Sequence, residues 1–355
     1  MKQLFFALSL ISISILSLAQ TSVTPFDASK EYLNGITYSL PKTELNIVIT
    51  ASCTIEKPGP FYQYAERYLA TKDIITINNE TWQIDNIEIK SNAIADPNRT
   101  FQVAIDNRGV ANNITYAHDN IIASINTTGV NTNENRSPQT ISPTLDSKIA
   151  IINSQFDYSK LNEEALVSTS IPKMAEMVAR QIYHIRESRT ALLAADLDQL
   201  PDGKALKIML KRLDQEEAEL LAFFVGKSTT YTVTKEYSIT PDDDLKQYVI
   251  ARISTAEGLI DANNVIGEPI YLTIKGTYYN APLTDPKKEK APKGFYYNVP
   301  GSAKIIIEAP ESTAEATLPI AQFGYTTHLN ANLTNKKTTK ITFNPELGTI
   351  IKIEK

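Results

Sequence analysis

The stretch ELNIVITASCTIE, Glu44–Glu56, decides how the chain is read. Leu45, Ile47, Ile49, Ala51, Cys53 and Ile55 alternate with polar or smaller residues, and a period of two marks a β-strand with one buried face. Cys53 falls on the buried phase. It is the single cysteine of the chain, and because a reactive thiol needs an accessible, electropositive setting, it reads as a packed, inert side chain.

Next comes KPGPFYQYAERYL, Lys57–Leu69, with four aromatics, a carboxylate and a guanidinium close behind a Pro-Gly-Pro break. It has the composition of a binding box. With Pro60 at the first helical position, Phe61, Tyr64, Ala65, Tyr68 and Leu69 fall on one continuous stripe, and Gln63, Glu66 and Arg67 on the other face. That periodicity assigns the aromatics to packing, in a short amphipathic helix crossing from one strand to the next.

Strand patterns continue at Trp82–Ile89, at Phe101–Ile105 and near Ile121–Ile125. Trp82 and Ile84 share one phase and Ile87 and Ile89 the other, so a bulge or break is expected at Asp85-Asn86. Thr127–Ser147, rich in Thr, Asn, Ser and Pro, reads as a long loop. From Pro172 the period changes: Met174, Val178, Ile182, Ile185 and Leu192 recur at helical spacing, as do Leu206, Leu210, Leu213, Leu220 and Phe224. Gly226 closes the second helix and Pro201 separates the two. Glu176 and Arg180, four apart, form a surface pair. Arg186, Glu187, Ser188 and Arg189 interrupt one apolar stripe, and Glu216 and Glu217 the other. Either they meet across the seam and fix its register, or they reach out to solvent.

Strands return at Tyr231–Ile239, Tyr248–Ile253, Ile270–Tyr279, Phe295–Val299, Ala303–Ile307 and Leu318–Phe323, with two short strands around Pro345-Glu346-Leu347-Gly348 at the end. A basic loop, APLTDPKKEKAPKG, interrupts this block. The expected class is α+β, mostly β. Two antiparallel, sandwich-like β-rich domains, 20–165 and 229–355, are joined by a long antiparallel helical hairpin within 166–228.

Residues 1–19 stand apart as a leader. Lys2 precedes the apolar run Leu4–Leu16, and Ser17-Leu18-Ala19 supplies the small-x-small pattern of a signal peptide, with cleavage expected between Ala19 and Gln20. The run falls short of the roughly 20 apolar residues of a spanning helix, so no membrane span is expected after cleavage. A net charge of −5 offers no basic footprint for nucleic acid. The segments GITYSLPKTELNIVI, KPGPFYQYAERYL, IRESRTALLAADLDQLPDGKALKIMLKRLDQEE and GFYYNVPGSAKIII, taken in order, resemble a family of exported bacterial proteins catalogued as domain of unknown function 4831. The resemblance runs from about Gly35 to the C-terminus. It implies an envelope or secreted protein, periplasmic or extracellular, and carries no activity or cofactor.

Local chemistry resolves to scaffolding. GKST at Gly226–Thr229 imitates a phosphate loop, but Leu221 stands where the earlier glycine belongs, and a helix precedes where a strand should. His118, His184 and His328 are scattered, without metal-ligand spacing. Asp242–Asp244 could start a calcium loop, but Ile253 stands where its glutamate belongs. No metal and no cofactor are therefore expected. The leading reading is a non-catalytic protein that binds an envelope glycan or a protein partner; the alternative is a hydrolase with a dispersed site. The candidate surface rests on the alternation in PIYLTIKGTYYN and GFYYNVP. Ile270, Leu272, Ile274 and Tyr278 share the core face, leaving Tyr271, Tyr279 and Tyr296 outside. Amphipathic aromatics there would suit such a partner, whereas cross-strand packing, or a face covered by the helices, would make them structural.

Overall fold

The computed structural model describes residues 22–26, 35–104, 114–127, 156–194, 203–282, 294–329 and 339–354. Residues 1–19, Pro201, nearly all of the Thr127–Ser147 segment and most of the basic loop lie outside the described residues.

Glu44–Glu56 lies within a 23-residue strand, β2 (Gly35–Lys57), and Leu45, Ile47, Ile49, Ala51 and Cys53 on it are 0% exposed. Burying each aliphatic side chain contributes roughly 1.5–3 kcal/mol, which is why this face fixes the register. β3 (Asn79–Ala104) runs antiparallel beside it. Thr50 faces Asn86 and Ala51 faces Ile84, so Asp85 is the extra residue of a bulge, at the expected phase slip. Its carboxylate accepts hydrogen bonds from Ser52 Oγ at 2.8 Å and Gln83 Nε2 at 3.1 Å.

β1 (Ser22–Pro25) and β6 (Lys227–Ile239) complete this first sheet, in the order β1-β3-β2-β6. The second sheet holds β7 (Leu245–Ser254), β8 (Gly258–Asp261), β9 (Glu268–Thr277), β10 (Tyr296–Glu308) and β11 (Thr313–His328), in the order β11-β10-β9-β7-β8. A third combines β4 (Ile114–Tyr116) and β5 (Ile122–Ile125) with β12 (Lys340–Phe343) and β13 (Ile350–Glu354). All strand pairs in these sheets are antiparallel.

Two sequence expectations need correction. Phe295–Val299 and Ala303–Ile307 are not separate strands; apart from Phe295, they form the single strand β10, whose ladder with β11 shifts between Val299 and Gly301. Nor do the strands segregate into the blocks 20–165 and 229–355. β6 pairs with β2 from Lys57↔Lys227 to Leu45↔Ile239, and β12 pairs with β5, so the blocks share two sheets. Sequence separation does not limit this pairing, since loop closure costs only about 0.6 kcal/mol for each doubling of length.

One core joins the first and second sheets, from Leu45, Ile47 and Ile49 to Ile270, Leu272, Ile274, Ile305 and Phe323. A second gathers Tyr38, Phe101, Phe295, Ile122 and Phe343 from the first and third sheets and the β10 entrance. The third is helical. Lys57–Leu69 contributes Phe61, Ala65 and Leu69 to it, with Tyr64 and Tyr68 half-buried and Gln63, Glu66 and Arg67 exposed. The amphipathic reading of that stretch therefore stands, but the helix starts later than expected. Tyr62 N donates to Gly59 O at 3.1 Å, so the chain turns first, then forms a 3₁₀ turn (Tyr62–Tyr64) and α1 (Ala65–Leu69). The break needs Gly59, because a Cβ there would lie 2.3 Å from Phe223 O.

After α2 (Glu163–Leu166) come α3 (Ile171–Leu193) and α4 (Gly203–Val225), which Gly226 ends at φ 95°. Val178, Ile182, Ile185, Leu192, Leu220 and Phe224 are buried; Leu206, Leu210 and Leu213 are only half-buried. Glu176 and Arg180 pair at 2.6 Å on the surface. Arg186 Nε lies 2.6 Å from Glu217, and Arg189 Nη1 lies 2.8 Å from both Glu217 and Asp214. Charge therefore does meet across the seam, at Glu217. Glu216 does not take part; it pairs with Arg212 one turn away on its own helix.

Candidate binding surface

β9 ends at Thr277, and the next two tyrosines leave the sheet. Tyr279 N donates to Phe323 O at 3.0 Å. The Tyr278 ring lies 4.6 Å from that of Phe323 and covers Gly276, where a Cβ would come within 2.7 Å of it. Its hydroxyl donates to Asp244 Oδ1 at 2.9 Å, and the same oxygen accepts from Gly276 N at 2.7 Å. Even so, Tyr278 is 42% and Tyr279 51% exposed. Two aromatic faces thus stand in solvent on a braced backbone, one of them locked at both ring and hydroxyl.

Partial burial first, then the hydrogen bond to Asp244 and its charge, push the Tyr278 hydroxyl up to about 12. The neutral hydroxyl is the form that donates, so the contact persists below the ordinary tyrosine range and is lost as pH rises toward that value. The phenolate absorbance titration of wild type minus that of Tyr278→Phe should show a transition near pH 12, moved downward in Asp244→Asn. A wild-type midpoint at the ordinary tyrosine value of 10 would show that Asp244 does not hold this hydroxyl.

Of the three tyrosines expected on the outer face, Tyr279 stands most exposed. Tyr271 does lie on that face, half-buried between Val249 of β7 and Glu308 of β10, in the manner of a cross-strand pair. Tyr296 is half-buried; its ring stacks on Phe101 at 4.1 Å and 10°, and its N–H donates to Tyr38 Oη at 2.8 Å. Burial pushes that Tyr38 hydroxyl far above the ordinary tyrosine range. Tyr296 and Glu308, the neighbour of Tyr271, occupy opposite ends of β10, roughly 40 Å apart at strand rise. The three therefore do not form one patch. Tyr278, expected on the core face with Ile274, is exposed instead, because alternation stops carrying information where β9 stops. Asp244, which the sequence places in no calcium loop, is the anchor of Tyr278.

The other candidates stay dispersed. His118 Nε2 lies 3.0 Å from Ala93 O, and His184 sits 3.9 Å from Glu187 in an exposed pair. Among the described residues no three His, Cys, Asp or Glu side chains converge. A groove of about 530 Å³ between α3 and α4 is lined by Ala191, Leu192, Met209 and Leu213, with Arg212 and Glu216 among its polar groups. Among the described residues Glu216 is the only carboxylate in that lining. No described helix is long and apolar enough to cross a membrane.

These residues define a mostly β protein built of antiparallel sheets with a helical core beside them. Within that class the chain belongs to the family described as domain of unknown function (DUF4831), whose profile matches residues 34–351. No curated protein and no solved structure matches it.

Proposed function

We propose that this is an exported, non-catalytic protein that binds an envelope glycan or a protein partner through the tyrosine-bearing end of its second sheet. In this reading the first two sheets form a sandwich, and α3 and α4 form one antiparallel hairpin beside it. Export rests on the charge, apolar run and small residues of positions 1–19, and material from the native host should begin at Gln20.

The observation that carries the binding reading is the exposure of Tyr278 and Tyr279 despite their bracing by Asp244, Gly276 and Phe323. An aromatic already held in place loses little conformational freedom when a partner arrives, and offers an apolar face together with a hydroxyl. A glycan ring or an apolar protein side chain would meet the faces of Tyr278 and Tyr279, with Asp242 and Asp243 exposed in the turn before Asp244.

The test is retention of the purified protein on envelope material from the native host, compared with Tyr279→Ser and Tyr278→Ser. Tyr279→Ser should lose retention at an unchanged melting temperature. Tyr278→Ser should lose retention too, with some stability, because its ring also packs on Phe323. Retention unaltered in both variants would sink the reading.

A further inference from the structure

Sheet edges invite pairing with another strand unless something blocks them, and most edges among the described residues are blocked. β4, β8 and β13 are 3, 4 and 5 residues long. β11 carries Pro319 and the charged Glu315. β3 is broken by the Asp85 bulge, contains Pro97, and has β1 along its end. β6 differs. Its 13 residues keep unbroken register with β2, without proline or bulge, and the strand order among the described residues ends there. Lys235, which could guard the edge, is turned inward and donates from Nζ to Leu259 O at 2.6 Å.

We propose that β6 pairs antiparallel with β6 of a second copy of this chain, about a two-fold axis at Val233, so that the first sheet continues through the dimer. A two-fold contact must complement itself, and this strand does. With Val233 on the axis, Thr232 faces Thr234 of the second copy, Thr230 faces Glu236 and Tyr231 faces Lys235. Like charges never stand opposite each other in that register. Threonine pairs already tie β6 to β2 on the same face, Thr50 to Thr234 at 3.2 Å and Thr54 to Thr230 at 3.0 Å. The dimer repeats that chemistry one strand further. Thr230, Thr232 and Glu236 are exposed, as the contact requires.

The test is sedimentation velocity over a concentration series on the purified protein, with two substitutions at one position. Thr230→Glu sets a carboxylate against Glu236 of the other copy twice over, whereas Thr230→Lys sets an ammonium there. Both lose the same hydroxyl bond to Thr54, so a shared folding effect cancels, and circular dichroism checks each. Wild type should dimerise, with dissociation constants for Thr230→Glu and Thr230→Lys differing by ~10-fold and the Lys variant tighter. A wild-type protein that stays monomeric at every concentration overturns the proposal. A dimer indifferent to the sign at position 230 overturns it as well. If both variants fail to fold, Thr232→Lys/Thr234→Glu, which restores opposite charges across the axis, must dimerise where Thr232→Lys/Thr234→Lys does not.

Discussion

Gly324→Ala is expected to cost about 3 kcal/mol or more, enough to leave the chain partly unfolded if its stability is ordinary. In the β10–β11 ladder Val299 faces Tyr325 and Gly301 faces Ile320, so Ala321–Gly324 on β11 stand against Pro300 alone. The excess residues bend β11 hard against the turn of β10. A Cβ on Gly324 would lie 1.7 Å from Val299 O, 2.7 Å from Val299 C and 2.8 Å from Pro300 C. All three are backbone atoms, so no side-chain rotation relieves the clash. Relief would require moving Phe323, which is 1% exposed in the core shared by the first two sheets. Urea denaturation is the check: a midpoint equal to wild type would mean that β11 slides freely at this point, and the bulge would lose its structural meaning.

What the sequence discloses here follows from the range of each interaction. The buried face of β2, the slip at Asp85 and the stripe Phe61–Ala65–Leu69 are all legible, because side-chain periodicity is a local property of backbone geometry. The pairing of β6 with β2 is not local. Matching strands 184 residues apart, as at Thr50 and Thr234, leaves no trace in either strand's own pattern. The pattern divides β10 at Pro300-Gly301 because those residues ordinarily end strands, whereas here they mark the excursion of its neighbour. The exposure of the two tyrosines that follow β9 is illegible for the same reason. Neither Tyr278 nor Tyr279 is placed by counting along β9, because the strand ends at Thr277 and their settings depend on Phe323 and Asp244, both distant in sequence. Alternation misplaces Tyr296 because it says which face a residue takes, and nothing about what covers that face.

Gln322→Ala is the second large effect, at about 2–4 kcal/mol. The excursion that Gly324 permits also sets the Gln322 side chain beside β2, where its amide acts as a short strand. Its Oε1 accepts from Thr43 N at 2.8 Å, and its Nε2 donates to Thr43 O and to Pro241 O, each at 2.8 Å. Beside it Ala321 N donates to Thr43 Oγ1 at 3.0 Å. Thr43 is 2% exposed, so truncation leaves its N–H and C=O dry and unpaired, and each such group costs about 1–3 kcal/mol. Water reaching the Pro241 carbonyl would soften the total. Gln322→Glu separates the amide's two roles. An ionised carboxylate still accepts from Thr43 N, but it confronts two carbonyls to which it cannot donate, so its neutral form is favoured and its folded pKa rises above about 4.3. The deficit of this variant should therefore be smallest at acid pH, where the carboxyl donates once, and grow as pH rises through that raised value. Matched urea series on wild type, Gln322→Ala and Gln322→Glu at two pH values decide the matter. An alanine variant within a few tenths of a kcal/mol of wild type, or a glutamate variant whose deficit ignores pH, would show that this amide does not tie the two sheets together.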